Sequence, residues 1–104
     1  MCFKKTKVGK KTNENREAIA MNARRMDVLI SLNDDPELES VLLALKNKIK
    51  YLTPSESSKV SAYDGKIKNA IDDLKIAFNR SNSDAIREQL KNLDVMISER
   101  NTFI

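Results

Sequence analysis

The apolar residues of this chain recur at helical spacing over most of its length. Between Val60 and Phe78 they follow one another at steps of three or four, which puts them on one face of a helix. After a polar link at residues 80–83, a second stripe runs from Ile86 to Ile97. Two amphipathic helices joined by a short link predict an antiparallel hairpin. The two stripes comprise Val60, Tyr63, Ile67, Ile71, Leu74 and Phe78, and then Ile86, Leu90, Leu93 and Ile97.

Two further amphipathic helices are predicted before this hairpin. The first extends from Asn13, which suits the N-cap, to Leu32, and its apolar arc is wide enough to contact more than one neighbour. Asp35 and Pro36 then begin the second helix, because aspartate is a favourable N-cap and proline fits the first helical position. This second helix is expected to run to about Leu52. The chain therefore predicts an all-α fold, an antiparallel up-down bundle of four helices.

The start of the third helix carries the clearest local signal. Thr53 and Glu56 have the spacing of a capping box and Pro54 suits the first turn, so we expect the helix to begin at Pro54. Gly65 then lies in the helix interior, where glycine costs about 1 kcal/mol relative to alanine. Because the apolar period is maintained on both sides of Gly65, the pattern favours a continuous helix over a break that would create a short extra helix.

The fourth helix is expected to begin near Ser81 or Ser83, since Ser81 and Asp84 form a variant of the capping box. It is expected to end near Arg100, whose positive charge suits the negative end of the helix dipole. The carboxylates fall outside the apolar stripes, so we expect none of them to be buried in the core.

Composition favours one soluble helical domain. The chain has 104 residues, with two glycines and two prolines. It has no apolar run near the ~18 residues that a membrane span needs, and its N-terminus lacks the apolar core of a signal peptide. We therefore expect a cytoplasmic protein, either free in solution or peripheral at the membrane. Its single cysteine, Cys2, has no partner for an internal disulfide.

Several classes of enzyme site are excluded by composition. The chain has no histidine, which removes Ser-His-Asp and Cys-His catalysis and the histidine-based metal sites. Its two glycines, Gly9 and Gly65, cannot build a P-loop or a dinucleotide-binding turn. We therefore expect no enzymatic activity and no catalytic, metal-binding or cofactor-binding residues.

Positive charge is concentrated at the N-terminus. Residues 1–16 hold six basic side chains and one acid, whereas the other 88 residues hold 13 basic and 14 acidic side chains. Residues 1–12 are predicted to form a disordered basic arm ahead of a helical domain at 13–104, because they contain too few large apolar residues to bury. The candidate polyanion-binding residues are Lys4, Lys5, Lys7, Lys10 and Lys11.

This arm has more than one interpretation. Its lysines would attract an anionic membrane surface or, with a steep dependence on salt, nucleic acid. The membrane fits better than nucleic acid, since the rest of the chain is net acidic by one charge and shows no basic helix face. The arm would otherwise serve as a solubilising tail.

A different hypothesis rests on apolar residues that a small bundle cannot bury completely. Such residues predict a non-catalytic protein-interaction module whose partner is another protein or a second copy of the chain. The alternative is a monomer with scattered exposed apolar side chains, which is common in soluble proteins. The candidate interaction residues are Val28, Leu29, Leu43, Val95, Phe103 and Ile104.

Overall fold

A computed structural model describes the backbone of residues 2–104 and the side chains of residues 13–104. Four helices follow one another, and no strand occurs in this part of the chain: α1 (Cys2–Leu32), α2 (Pro36–Lys50), α3 (Ser58–Asn79) and α4 (Ser83–Asn101). The predicted all-α, antiparallel up-down bundle is confirmed.

The four helices do not pack equally against one another. The pair α3 and α4 makes the most extensive contact, and α1 packs against both α2 and α3. Contact between α2 and α4 is much smaller. Leucine and isoleucine dominate the shared core, which holds Ile19, Ala23, Met26, Leu29, Leu38, Leu42, Leu45, Ile49, Leu52, Ile67, Ala70, Ile71, Leu74, Ala77, Ile86, Leu90, Leu93 and Ile97. The bundle is therefore closed on three sides and open along the fourth, between α2 and α4.

The helix α2 begins as predicted. Asp35 is its N-cap, with a side-chain oxygen that accepts from the backbone N–H of Glu37 at 3.0 Å, and Pro36 is its first residue. Its last residue is Lys50, slightly before the expected end at Leu52. The start of α1 differs more: the helix passes through Asn13, so the predicted N-cap there is wrong. The predicted arm, residues 1–12, lies outside the residues whose side chains are described.

Asn82 caps α4, and this corrects one prediction. The helix starts at Ser83, one of the two predicted starts, and the Asn82 side chain accepts from the N–H of Ala85 at 3.2 Å. The expected capping box at Ser81 is wrong. Ser81 instead has a φ of 52°, in the left-handed region, where it turns the chain between α3 and α4.

The helix α3 begins at Ser58, so the predicted capping box and start at Pro54 are wrong. The backbone before Ser58 is used in tertiary hydrogen bonds instead of in a helical turn. The carbonyl of Thr53 accepts from Arg100 at 3.1 Å, and the N–H of Ser55 donates to the Asn15 side chain at 2.9 Å. Tertiary contacts of this kind routinely override a local capping signal.

Gly65 lies inside α3, which is continuous through it, as predicted. Its φ is not positive, and a Cβ atom added there would meet nothing within 4 Å. The fold therefore has no local need for glycine at this position. Among the described residues, no helix has the length and apolar character that crossing a membrane requires.

We expect Gly65→Ala to raise the free energy of unfolding by about 1 kcal/mol, because alanine removes backbone entropy from the unfolded chain and enters open space in the folded one. For a domain of this size that corresponds to a rise in Tm of about 4–8 °C. The exposed Ala62 on the same helix provides the control, since Ala62→Gly should lower Tm by a similar amount. A fall in Tm for Gly65→Ala would mean that the glycine is needed by the fold.

Candidate functional site

A carboxylate lies in the middle of the apolar face of α3. Asp64 follows Val60 by four residues and precedes Ile67 by three, so it occupies a core position of the helical period. Its exposed fraction is 4%. The expectation that no carboxylate would be buried is therefore wrong. Burial of this group requires compensation, because an unpaired charge in a core is strongly unfavourable.

The compensating cation is Arg100, near the end of α4. The Arg100 side chain is fully buried, and its Nε lies 2.7 Å from Oδ1 of Asp64 while its Nη2 lies 3.3 Å from Oδ2. This two-point contact matches the planar fork of the guanidinium to the carboxylate. The charge of Arg100 and its position in the sequence predict an interaction with the dipole at the helix end, whereas in the structure its side chain lies inside the bundle. Its Nη1 has no hydrogen-bond partner within the described part of the chain.

Two asparagines of α1 complete the network. The Nδ2 of Asn15 donates to Oδ2 of Asp64 at 2.7 Å, and its Oδ1 accepts from Arg100 at 3.3 Å. Two turns further along, Asn22 donates to the backbone carbonyl of Asp64 at 3.2 Å and accepts from Arg25 at 2.9 Å. We call Asn15, Asn22, Asp64 and Arg100 the buried polar network. It joins α1, α3, α4 and the link before α3 at one end of the bundle.

This network is suited to holding the fold. A cavity of about 630 Å³ opens beside it between α1 and α3, lined in part by Asn15, Asn22 and Asp64. Their polar atoms are already engaged. Asn15 and Arg100 donate to the Asp64 carboxylate, and Asn22 donates to the backbone carbonyl of Asp64 and accepts from Arg25. Among the described residues, no group of three or more histidine, cysteine, aspartate or glutamate side chains could hold a metal ion.

The predicted interaction residues do not form one surface. Leu29 is fully buried, because it continues the core stripe of α1 after Met26, so its assignment to an exposed surface is wrong. Val28, Leu43 and Val95 are exposed, but they lie on α1, α2 and α4. Whether any of these three binds a partner stays a prediction. The side chains of Lys4, Lys5, Lys7, Lys10 and Lys11 lie outside the described residues.

The remaining two predicted residues, Phe103 and Ile104, are exposed after the end of α4, with Phe103 beside α3 and Ile104 in a cleft beside Tyr51. The ring of Phe103 stacks on Tyr63, with 5.5 Å between the ring centroids and an angle of 30° between the planes. Tyr63 is thus half-buried at the surface and faces the end of α4, rather than lying deep in the core. The structure brings the predicted apolar tail into contact with the first helix of the predicted hairpin.

An apolar groove follows the open side of the bundle between α2 and α4. Its volume is about 570 Å³. Its apolar lining comes from both helices and consists of Leu38, Val41, Ala44, Leu45 and Leu90, and its polar and charged lining consists of Ser40, Lys48, Arg87, Lys91 and Asp94. Lys48 and Asp94 form an ion pair across it, with 2.8 Å between Nζ and Oδ1. We call this surface the α2–α4 groove.

The network residues were missed although the sequence carries a signal for them. Asn15 and Asn22 stand at core steps with Ile19 and Met26, and Arg100 follows Ile97 by three. The signal for a buried polar network is a polar residue at a position where the apolar period predicts a core side chain. The α2–α4 groove has no such signal, because it depends on how far apart two helices lie.

Comparisons with known proteins do not extend this description. No family model matches the sequence, and searches of curated proteins and of solved structures gave no significant match. The fold is that of a small four-helix bundle with a buried ion pair.

We expect Arg100→Met to lower the free energy of unfolding by about 3–5 kcal/mol, because it leaves the Asp64 carboxylate buried without its cation. The double variant Asp64→Leu/Arg100→Met should recover much of that loss, since it removes both charges. Urea denaturation followed by circular dichroism measures both. Arg87→Met on the exposed face of α4 is the control and should change stability by less than about 0.5 kcal/mol. A double variant no more stable than the single one would show that the two charges are not coupled.

Proposed function

We propose that this protein is a non-catalytic interaction module that binds an amphipathic helix of another protein in the α2–α4 groove. The observation that carries this proposal is the groove itself, a side of the bundle where two neighbouring helices stand apart and leave apolar residues accessible. Grooves between helices are a recurrent site for helical peptides. Exposed Val41 and Ala44 supply apolar surface that the bundle does not use.

The dimensions of the groove suit a short helix. Its lining on α2 extends from Leu38 to Lys48, about ten residues that span about 15 Å at 1.5 Å per residue. That length accommodates about three turns of a bound helix. A helix of this length presents apolar side chains at positions i, i+3 or i+4, and i+7, which is the pattern that such grooves read.

The charges around the groove indicate which residues should flank the apolar side chains of the bound helix. The lining holds three cations, Lys48, Arg87 and Lys91, and one carboxylate, Asp94. Asp94 is already paired with Lys48. Arg87 lies 3.9 Å from Glu37 in a pair that is largely exposed and therefore weak. A helix with acidic residues beside its apolar face would complement this net positive lining.

The same charges argue against a second copy of the chain as the occupant. In a two-fold dimer the same surface is used on both subunits, so the groove would face itself. The net positive lining of one subunit would then lie against the same lining of the other, and like charges in an interface are unfavourable. We therefore favour a different protein with an acidic amphipathic helix. The anionic-membrane alternative, based on the lysines of residues 4–11, stays a prediction.

We expect a selection from displayed helical peptide libraries against this protein to enrich peptides with an apolar stripe flanked by aspartate and glutamate. Val41→Glu should weaken their binding at least about tenfold, because it puts a charge on the apolar lining and opposes the acidic flanks. Fluorescence anisotropy with the enriched peptides measures this change.

Leu43→Glu is the matched control. Leu43 is on the same helix and has the same exposed fraction as Val41, 43%, but it does not line the groove. Its substitution should leave peptide affinity within about twofold, since it adds the same charge elsewhere on α2. Enriched peptides that bind Val41→Glu and Leu43→Glu equally would contradict the proposal. Loss of a dimer in Val41→Glu, seen by light scattering, would instead make a second copy the occupant.

A further inference from the structure

Exposed or half-buried aromatic and apolar side chains lie at the end of the bundle that contains the buried polar network. Tyr51, just after α2, is 75% exposed, and it lines a cleft of about 510 Å³ together with Ile104. Phe103 is next to Ile104 in the chain and stacks on Tyr63 of α3. Tyr51 and Ile104 thus share one cleft, Tyr63 and Phe103 stack on each other, and the peptide bond between Phe103 and Ile104 joins the two pairs.

A lysine lies over each of these three rings. The Nζ atom of Lys50 is 5.5 Å from the ring centroid of Tyr51. The Nζ of Lys59 is 5.3 Å from Phe103, and that of Lys66 is 4.7 Å from Tyr63. Such cation–π contacts at an exposed site are weak, so the ammonium groups remain available to anions. We call Lys50, Tyr51, Lys59, Tyr63, Lys66, Phe103 and Ile104 the aromatic–lysine patch.

The three lysines of the patch differ from other cations of the bundle. Lys46, Lys48, Arg87 and Arg100 are the cations of the ion pairs identified among residues 13–104, and those pairs do not involve Lys50, Lys59 or Lys66. The neighbouring carboxylate of Asp64 is buried and paired with Arg100. The patch therefore presents positive charge around an apolar centre.

We propose that the aromatic–lysine patch docks this protein onto an anionic lipid surface. Tyrosine and phenylalanine side chains with apolar bodies favour the boundary between headgroups and acyl chains. Lysine stems lie along apolar surface while their ammonium groups reach anionic headgroups. Because rings and ammonium groups alternate in the patch, the patch can contact the acyl-chain boundary and the anionic headgroups at the same time.

The existing contacts of the Tyr63 and Phe103 rings favour a lipid surface over single-stranded nucleic acid as the partner of the patch. Proteins that bind single strands stack bases on accessible aromatic faces. In the patch, Tyr63 and Phe103 already stack on each other, and each also holds an ammonium group. A base would have to displace one of these partners, whereas insertion of ring edges and Ile104 into an interface displaces none.

The position of the patch also agrees with the charge distribution of the chain. Asn15 contacts Arg100, three residues before Phe103, so α1 enters the bundle at this same end. The lysine-rich residues 4–11 are joined to the bundle through that helix. The patch does not include residues 4–11, so substitutions can separate the contribution of the patch to lipid binding from that of the N-terminal lysines.

Flotation with vesicles of phosphatidylcholine containing about 30 mole per cent phosphatidylserine tests the proposal on the full chain. We expect the triple variant Lys50→Glu/Lys59→Glu/Lys66→Glu to bind about 100-fold more weakly than the unchanged protein, at about fivefold per lysine removed from the surface. Vesicles of phosphatidylcholine alone should bind neither. Circular dichroism establishes that the variant remains helical.

Lys68→Glu/Lys75→Glu/Arg80→Glu is the matched control, because it changes the net charge equally at exposed basic residues of α3 and its C-cap that lie outside both the patch and the groove. It should reduce binding by less than about fivefold, since these basic residues would lie farther from the lipid. Equal losses in the two triple variants would overturn the proposal in favour of binding by residues 4–11 or by overall charge. Tighter binding of a single-stranded oligonucleotide, abolished in the patch variant, would overturn the lipid assignment.

Fluorescence provides an independent measurement that does not depend on charge. The chain has no tryptophan, so Tyr51→Trp introduces a single reporter in the patch. We expect its emission to shift to shorter wavelength with anionic vesicles and to be quenched by lipids brominated near the headgroup. Leu43→Trp, exposed on α2 but outside the patch, should show neither change. An unshifted emission spectrum of the Tyr51→Trp variant on bound vesicles would contradict insertion.

Discussion

The buried contact between Asp64 and Arg100 is the constraint on which the rest of the bundle depends. A carboxylate at a core position of α3 is tolerable only while the guanidinium from α4 lies against it at 2.7 Å. The same guanidinium donates to the carbonyl of Thr53, and Asn15 accepts from the N–H of Ser55. These two contacts hold the link between α2 and α3 in a non-helical conformation, and α3 starts at Ser58. The ion pair and the asparagine beside it thus connect helix packing to the position of a helix boundary.

The number of helices and most of the core follow from the sequence, since period and capping are local properties. Asp35 and Pro36 begin α2 as predicted, and α3 continues through Gly65 because its apolar stripe does. The buried polar network was not predicted, because a stripe position was assumed to require an apolar residue. Arg100 is an example of such a position, because it continues the apolar stripe of α4 after Ile97 although it is charged. Its burial depends on Asp64, 36 residues away, which no local rule considers.

The two candidate surfaces have different physical origins. The α2–α4 groove exists because the bundle closes on three sides, and its lining combines leucine and valine with an excess of cations. The aromatic–lysine patch exists because the end of α4 returns Phe103 to Tyr63. Lys48 borders both surfaces, since it lines the groove and the cleft beside Tyr51. A helix bound in the groove would therefore lie close to the surface that the patch contacts. If both proposals hold, the protein would keep its partner next to a membrane.

The separation of Asp64 and Arg100 along the chain also has a consequence during synthesis. The carboxylate leaves the ribosome 36 residues before the guanidinium that neutralises it, a delay of roughly 2 to 7 seconds at typical elongation rates. Until the guanidinium is present, any packing that removes Asp64 from water would bury an unpaired charge, which is strongly unfavourable. Closure of the core around Asp64 therefore requires Arg100, and with it nearly the whole of α4.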